Sequence, residues 1–172
     1  IFSDVWQKGK TLKIELQGQP YRYISENSAD CNAECAFLLT KQNEKYQNDA
    51  IMRGAHSIVA PQEGWELFGL DRICVIGITG TNGKTTTASA IYSILLDLGH
   101  KAAMQGTRGF FMNDAPVEGK SLTTPTVLNT YRHMAQAIAA GCEYFVMEVS
   151  SHAIEQERIA GIRFGLKILT NI

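Results

Sequence analysis

The chain has 172 residues, enough for one large domain or two small ones around a buried core. Its 45% hydrophobic and 19% charged residues are typical of a globular protein, and a net charge of -1 gives no electrostatic reason to expect nucleic acid or an anionic membrane as a partner. Any phosphate bound by this chain must therefore be held by local groups.

The cysteines and the chain start exclude further classes. The four cysteines lack CxxC spacing, which argues against a disulfide framework and against a zinc site. The first residues, "IFSDVWQKGK", do not show the charged start and apolar run of a signal peptide, and no apolar run approaches the roughly 20 residues of a membrane helix. We expect a cytoplasmic, monomeric protein.

Short β-rich runs occupy the first third of the chain. The runs "YRYIS", "CAFLLT" and "HSIVA" predict strands, and "QNDAIMRGA" predicts a helix. The Pro- and Gly-containing segment "PQEGWELFGLDR" follows them, so we place a domain boundary near Asp71. Residues 1–71 are thus predicted to form a small N-terminal α/β domain.

Strands and helices alternate in residues 72–172. The runs "RICVIGIT", "KAAMQGT", "YFVMEVS" and "FGLKILT" predict strands. A helix is predicted after Gly83 with an apolar side formed by Ala88, Ile91, Ile94, Leu95 and Leu98. A second helix is predicted in "TPTVLNTYRHMAQAIAAG", with Thr124 as its cap and Pro125 in its first turn. This order predicts a mainly parallel sheet flanked by helices, with ligands at the carboxyl ends of its strands.

The stretch "VIGITGTNGKTTTASAIYSIL" runs from a strand through a glycine-containing turn into a helix. In the phosphate-binding pattern G-x-x-x-x-G-K-[ST], backbone N–H groups line the phosphates, the lysine meets the terminal ones and the hydroxyl reaches magnesium. Ile78 replaces the first glycine, but Gly80, Gly83, Lys84 and Thr85 remain, at a helix N-terminus that itself favours anions. A surface turn with a solvated lysine is the simpler interpretation; the flanking strand and helix favour phosphate binding.

The apolar run "YFVMEVSS" contains an acidic residue, Glu148, near its end. An acidic residue on a strand beside a nucleotide loop is suited to hold magnesium directly or through water. The alternative is a solvent-facing glutamate. Because a carboxylate in so apolar a run is costly without a cation or hydrogen bonds, we predict a magnesium site at Thr85 and Glu148.

Three segments carry a resemblance to the Mur ligases. "GITGTNGKTTT", "LTTPT" and "MEVSSHAIEQERIAG" occur in the order and at the separations of that family, whose loop reads G-T-x-G-K-[ST] and so accounts for Ile78. "EVSSHA" followed by "QER" resembles the branch that adds meso-diaminopimelate or L-lysine to UDP-N-acetylmuramoyl-L-alanyl-D-glutamate. The resemblance implies an amide ligase of peptidoglycan synthesis that uses ATP and Mg²⁺, forms an acyl phosphate and releases ADP and phosphate.

The resemblance implies a role for each matched residue. The ATP-binding residues are Gly80, Thr81, Asn82, Gly83, Lys84, Thr85 and Thr86. The catalytic residues are Lys84, Glu148 and His152. The residues implied to bind the UDP-muramoyl dipeptide are Thr123, Thr124, Ser150, Gln156 and Arg158. From residue chemistry alone, helix capping remains open for the threonines, a turn for Ser150 and a solvated charge for Arg158.

The N-terminal residues resemble the family less closely. "YISENSADCNAECAFLLT" is similar to the UDP-binding segment and puts Ser28 on its serine, but Ala29 replaces the usual arginine and "KQNEKYQNDA" is shorter than the family loop. A polar loop between strands is the competing interpretation. The family's carbamylated lysine and amino-acid-binding third domain would lie beyond Ile172, so we expect an N-terminal piece of the enzyme, inactive by itself.

Other function classes remain open at this stage. One is another Mur-type ligase or a relative of folylpolyglutamate synthase, and another is a non-catalytic module that binds a nucleotide or UDP-sugar. A P-loop GTPase or kinase would share the glycine loop, but the chain has no D-x-x-G and no N-K-x-D segment. A comparison of ligand binding with amino-acid-dependent phosphate release would separate these classes.

Overall fold

The computed structural model describes residues 12–120 and 122–172, together with the backbone of residues 4–5. Two sheets follow one another along the chain. In the part of the chain so described, no helix is both long and apolar enough to cross a bilayer.

The first sheet has five strands in sequential order. They are β1 (Asp4–Val5), β2 (Lys13–Glu15), β3 (Tyr23–Ser25), β4 (Cys35–Leu38) and β5 (Ser57–Val59), and α1 (Gln47–Met52) connects the last two. The pairs β1–β2 and β2–β3 are antiparallel, whereas β3–β4 and β4–β5 are parallel. The three predicted strands and the predicted helix are confirmed. The prediction omitted β1 and β2, whose two and three residues are too few to show a period.

The segment predicted as a connection contains a helix, α2 (Pro61–Leu67). Pro61 occupies its first position, and the Glu63 carboxylate accepts a hydrogen bond of 2.7 Å from the Ala60 N–H. An apolar cluster runs without interruption from the first sheet to the second, including Ile24 and Phe145. The boundary near Asp71 therefore stays a prediction.

The second sheet has the predicted α/β character. Its strands are β6 (Cys74–Thr79), β7 (Ala102–Gly106), β8 (Gly109–Met112), β9 (Ala115–Glu118), β10 (Tyr144–Glu148) and β11 (Phe164–Leu169). They lie in the order β11-β6-β10-β7-β8-β9, of which the first four are parallel. The helices are α3 (Lys84–Asp97), α4 (Val127–Ala139) and α5 (Ser151–Glu155). The mainly parallel sheet and its two long helices are confirmed.

The antiparallel hairpin β8–β9 was not predicted. Its turn residues, Asn113 and Asp114, have φ angles of 47° and 68°. Asn and Asp tolerate this left-handed conformation, so "MNDAP" was a turn signal between two short strands.

Two details of the predicted helices were wrong. The cap of α4 is Thr126, whose hydroxyl accepts from the Asn129 N–H at 3.4 Å, and not Thr124. On α3, Ile94 and Leu98 are exposed, whereas Tyr92 is buried. The Tyr92 hydroxyl accepts the Asp114 N–H at 2.9 Å, because the hairpin turn, absent from the prediction, lies beside this helix.

Candidate active site

The residues predicted to act together follow the carboxyl ends of adjacent parallel strands. β6 leads into the loop at Gly80, β10 ends at Glu148 and β7 ends at Gly106. Because β6 and β7 both pair in parallel with β10, these three ends meet at one edge of the sheet. Ligands of open α/β sheets bind at such an edge.

The loop between β6 and α3 needs its two glycines. Gly83 caps α3 with φ 83°, and Gly80 has φ 138°, both in the left-handed region. A Cβ built on Gly80 would overlap the Thr170 hydroxyl and lie 2.9 Å from the Asn171 carbonyl oxygen. The glycine pattern therefore reflects both backbone conformation and a close approach of the chain after β11.

That approaching chain braces the loop. The Asn171 Oδ1 accepts the N–H groups of Thr81 and Asn82, each at 3.0 Å, and the Thr170 hydroxyl donates to the Asn82 carbonyl at 2.6 Å. Phosphate binding through these two N–H groups stays a prediction, which requires that they exchange Asn171 for the ligand. Sequence reasoning missed Thr170 and Asn171, although their position directly after β11, at the same sheet edge, was a usable signal.

The first turn of α3 offers other donors. The first helical hydrogen bond runs from the Thr87 N–H to the Gly83 carbonyl at 2.9 Å, so the N–H groups of Lys84, Thr85 and Thr86 have no partner within the helix. The Lys84 Nζ donates to the carbonyls of Gly80 and Thr81 at 2.6 and 3.2 Å, which holds its ammonium group over the loop. The arrangement combines backbone donors with a positive charge, as an anionic ligand requires.

Glu148 is buried, with 2% of its surface exposed. The Thr85 hydroxyl donates to its Oε2 at 2.9 Å, so the two predicted magnesium ligands are in direct contact. Thr107, which sequence reasoning missed, donates its N–H to Oε1 and its hydroxyl to Oε2, both at 3.1 Å. These donors satisfy a carboxylate that would otherwise be costly to bury.

Three of the predicted substrate residues surround the end of β10. The Thr124 hydroxyl donates to the Glu148 carbonyl at 3.0 Å and accepts the Ser150 N–H at 3.1 Å. The Thr123 hydroxyl lies 3.0 Å from the Thr107 hydroxyl. Ser150 also caps α5, since its hydroxyl accepts the Ala153 N–H at 3.2 Å. Capping is thus observed for Ser150, whereas Thr124 bonds to the acidic strand.

A hydrogen-bonded chain connects Arg158 to the turn between β4 and α1. The Arg158 guanidinium donates to the Thr124 carbonyl at 3.1 Å and to Gln156 Oε1 at 2.5 Å, and this oxygen also accepts from Gln42 at 2.9 Å. Arg158 Nε is buried without a hydrogen-bond partner. Arg158 is therefore not a solvated charge. Gln42 is a neighbour that the sequence did not indicate, because its partner is 114 residues away.

Two predicted site residues lie outside this cluster. His152 has a side chain that is 72% exposed, and its Nδ1 is 3.6 Å from Glu155 Oε2. Ser28 is buried between β3 and β4. Its hydrogen bond to Asp49, and to a smaller extent the hydrogen bond from Arg53, hold the pKa of the Asp49 carboxyl below its ordinary value. Their roles stay predictions.

Across the residues the structure describes, no group of three or more His, Cys, Asp or Glu side chains could hold a metal ion. The two predicted magnesium ligands, Glu148 and Thr85, offer one carboxylate and one hydroxyl oxygen at the strand edge. This set fits Mg²⁺, which prefers oxygen ligands and is often held by one or two carboxylates together with substrate phosphates and water.

A buried parallel strand, a glycine loop, a helix that begins with lysine and an acidic neighbouring strand define a P-loop-type α/β domain. The family model of the Mur ligase middle domain matches residues 78–172, more than half of the chain. The chain belongs to the Mur ligase family.

Curated relatives extend the likeness over nearly the whole chain. It is 51% identical over 161 residues to the "UDP-N-acetylmuramoyl-L-alanyl-D-glutamate--2,6-diaminopimelate ligase" of Wolinella succinogenes, covering 94% of this chain and 37% of the relative. It is 50% identical over 162 residues to the ligase of the same name from Helicobacter pylori, covering 92% and 36%. The chain thus spans little more than a third of these relatives.

A solved structure supports the fold. The structure of a UDP-N-acetylmuramoyl-L-alanyl-D-glutamate--2,6-diaminopimelate ligase superimposes with a TM-score of 0.69, covering 94% of this chain and 40% of that one. Because the sequence identity is 20%, this likeness is evidence for the fold alone.

Proposed function

We propose that these residues belong to an ATP-dependent amide ligase that adds meso-diaminopimelate to UDP-N-acetylmuramoyl-L-alanyl-D-glutamate in peptidoglycan synthesis. The observation that carries the proposal is the contact between Thr85, beside the lysine of a nucleotide loop, and the buried Glu148 on the neighbouring strand. The names of the relatives support diaminopimelate over L-lysine as the amino acid.

The same proposal assigns a part of the enzyme to each sheet. Residues 1–71 would bind the UDP moiety, with Ser28 as one contact, and residues 72–172 would form the first part of the central ATP-binding domain. Because the relatives are more than twice as long, the groups that select the amino acid would lie in the remaining length. The 172 residues alone are then expected to bind ligands without completing ligation.

The proposed chemistry is needed because an amine that attacks a free carboxylate would have to expel oxide, a very poor leaving group. Transfer of the ATP γ-phosphate to the substrate carboxylate gives an acyl phosphate, from which the incoming amine displaces phosphate. In such a transfer the protein contributes mainly alignment and charge neutralisation. Lys84 and the free N–H groups at the start of α3 would neutralise the phosphates, while bound Mg²⁺, held by Thr85 and Glu148, would supply further positive charge.

The substrate would lie on the side of Glu148 where Thr123, Thr124 and Arg158 cluster. Arg158 is fixed by its bonds to Thr124 and Gln156, which suits a guanidinium that recognises an anionic group of the UDP-muramoyl dipeptide. We also propose that exposed His152 contacts the substrate only when the rest of the enzyme closes over it.

Lys84→Ala tests the proposal. In a full-length ligase that carries these residues, we expect loss of nucleotide-dependent ligation, measured as diaminopimelate-dependent phosphate release with the UDP-muramoyl dipeptide. In the 172-residue chain we expect weaker binding of a fluorescent ADP analogue. Exposed Lys45→Ala is the matched control and should change neither value. Near-normal turnover of the Lys84 variant would exclude the assigned role, and binding without any amino-acid-dependent turnover in the full-length enzyme would favour a non-catalytic module.

A further inference from the structure

Thr107 donates two hydrogen bonds to Glu148, whereas Thr85 and Thr124 each donate one. Its N–H reaches Oε1 and its hydroxyl reaches Oε2, both at 3.1 Å, so one residue holds both carboxylate oxygens. Thr85 adds a single bond to Oε2 at 2.9 Å. Two donors from one residue fix both the position and the rotation of the carboxylate plane.

The hydrogen bonds also divide the acceptor capacity of the carboxylate. Each carboxylate oxygen has two lone pairs. Oε2 accepts from both Thr85 and Thr107, whereas Oε1 accepts the Thr107 N–H. One acceptor position of Oε1 is therefore left for a cation or for a water molecule bound to it.

The backbone beside Thr107 is packed tightly against the same group. A Cβ built on Gly106 would overlap Glu148 Oε1 and lie 2.6 Å from its Cδ. The glycine lets β7 approach closely enough for the next residue to reach both oxygens. Glu148 is held by the end of β7 as much as by its own strand.

Thr107 connects this carboxylate to the substrate side of the cluster. Its hydroxyl lies 3.0 Å from that of Thr123. A hydroxyl has one proton, and Thr107 donates it to Glu148, so Thr123 is the donor in the bond between the two threonines. The three groups form a chain in which each hydrogen bond strengthens the next.

We propose that Thr107 is the positioning residue of the magnesium site, which orients Glu148 so that Oε1 faces the cation. The inference rests on the proposed function, because it requires a divalent cation beside the nucleotide. Loss of a residue that orients a metal ligand typically weakens metal binding by about 10- to 100-fold. Thr107 itself would not touch the cation.

The test measures magnesium dependence of nucleotide binding in the 172-residue chain, with a fluorescent ADP analogue as the probe. Thr107→Val removes the hydroxyl and keeps the shape, and Thr107→Ser restores a hydroxyl. We expect the valine variant to raise the Mg²⁺ concentration at half-saturation about 10-fold or more, and the serine variant to stay within about twofold of the unmodified chain. Binding in excess EDTA should be the same for all three.

Two different results would overturn the inference. If the unmodified chain binds the probe equally well with Mg²⁺ and with EDTA, the proposed metal site fails and the role of Thr107 fails with it. If Mg²⁺ strengthens binding but the valine variant keeps the normal half-saturation, the metal site stands and Thr107 has no positioning role. Circular dichroism checks the fold of each variant, and Thr107→Ala replaces the valine variant if that one is unfolded.

Discussion

Gly106→Ala should destabilise the protein because the new methyl group would occupy space that Glu148 fills. The Cβ would lie 2.6 Å from Glu148 Cδ, against 3.4 Å or more in ordinary contacts, so the carboxyl group must shift by about 1 Å. Hydrogen bonds of 3.1 Å from Thr107 do not survive such a shift.

The cost can be worked from the bonds that are lost. A hydrogen bond to a charged group contributes about 1.5–3 kcal/mol, so losing the two from Thr107 costs about 3 kcal/mol at the lower limit. For a chain of this size, each 1 kcal/mol lowers the melting temperature by about 2–4 °C, which predicts a decrease of about 6–12 °C. Thermal unfolding followed by circular dichroism measures it.

The matched control is Gly119→Ala, at an exposed position where a Cβ meets nothing within 4 Å. It should melt close to the unmodified protein, with at most the small gain that a glycine-to-alanine change gives through the unfolded state. In a Glu148→Ala background, Gly106→Ala should cost nothing, because the overlapping group is gone. A Gly106 variant that melts within 2 °C of the unmodified protein would refute the reasoning.

Two other features give separate predictions. Asn171→Ala removes two hydrogen bonds to the loop, together worth about 1–3 kcal/mol. The melting temperature should therefore fall by about 2–12 °C, whereas Lys120→Ala, at an exposed position, should leave it unchanged; an unchanged melting temperature of the Asn171 variant would show that the loop needs no brace. Hydrogen bonding to His133 and the nearby Arg132 charge lower the pKa of Glu118 from 4.5 to about 2. A lowered pKa means stability that is complete above pH 4.5 and lost as the pH falls towards 2. Because the Glu118 side chain is 37% exposed, we expect the free energy of unfolding to fall by about 1–2 kcal/mol between pH 7 and pH 3. Urea unfolding at the two pH values measures this decrease, which should be absent in Glu118→Gln. An unchanged pH dependence in that variant would contradict the assignment.

The mainly parallel sheet could be predicted from the sequence because the patterns that indicate its strands and helices are local. The apolar run of β6, the glycine at position 83 and the periodic α4 each lie within one short window. The same short segments also predicted the nucleotide loop after β6 and the acidic residue at the end of β10. These two features lie side by side because β6 and β10 pair in parallel. The hairpin β8–β9 was not predicted because the turn signal of Asn113 and Asp114, which separates its two short strands, was not used.

The residues that complete the site were harder to predict, because their positions depend on contacts distant in sequence. Thr107 meets Glu148 across 41 residues, and Asn171 meets the loop across 90. Nothing in the sequence around Thr107 distinguishes it, as a threonine that follows a strand, as the partner of a carboxylate. The cap of α4 was misplaced because two threonines lie near its start, and only the backbone shows that Thr124 turns towards β10 instead.

The brace at Asn171 also has a consequence for the order in which the protein forms. Thr81 and Asn82 are made 90 and 89 residues before the side chain that fixes them. During synthesis, β6 and α3 can be complete while the loop between them still lacks its long-range partner. Such non-local contacts form late, after the entropy of closing the intervening chain has been overcome. In a growing chain, the loop should therefore take its final conformation only when the residues after β11 have left the ribosome.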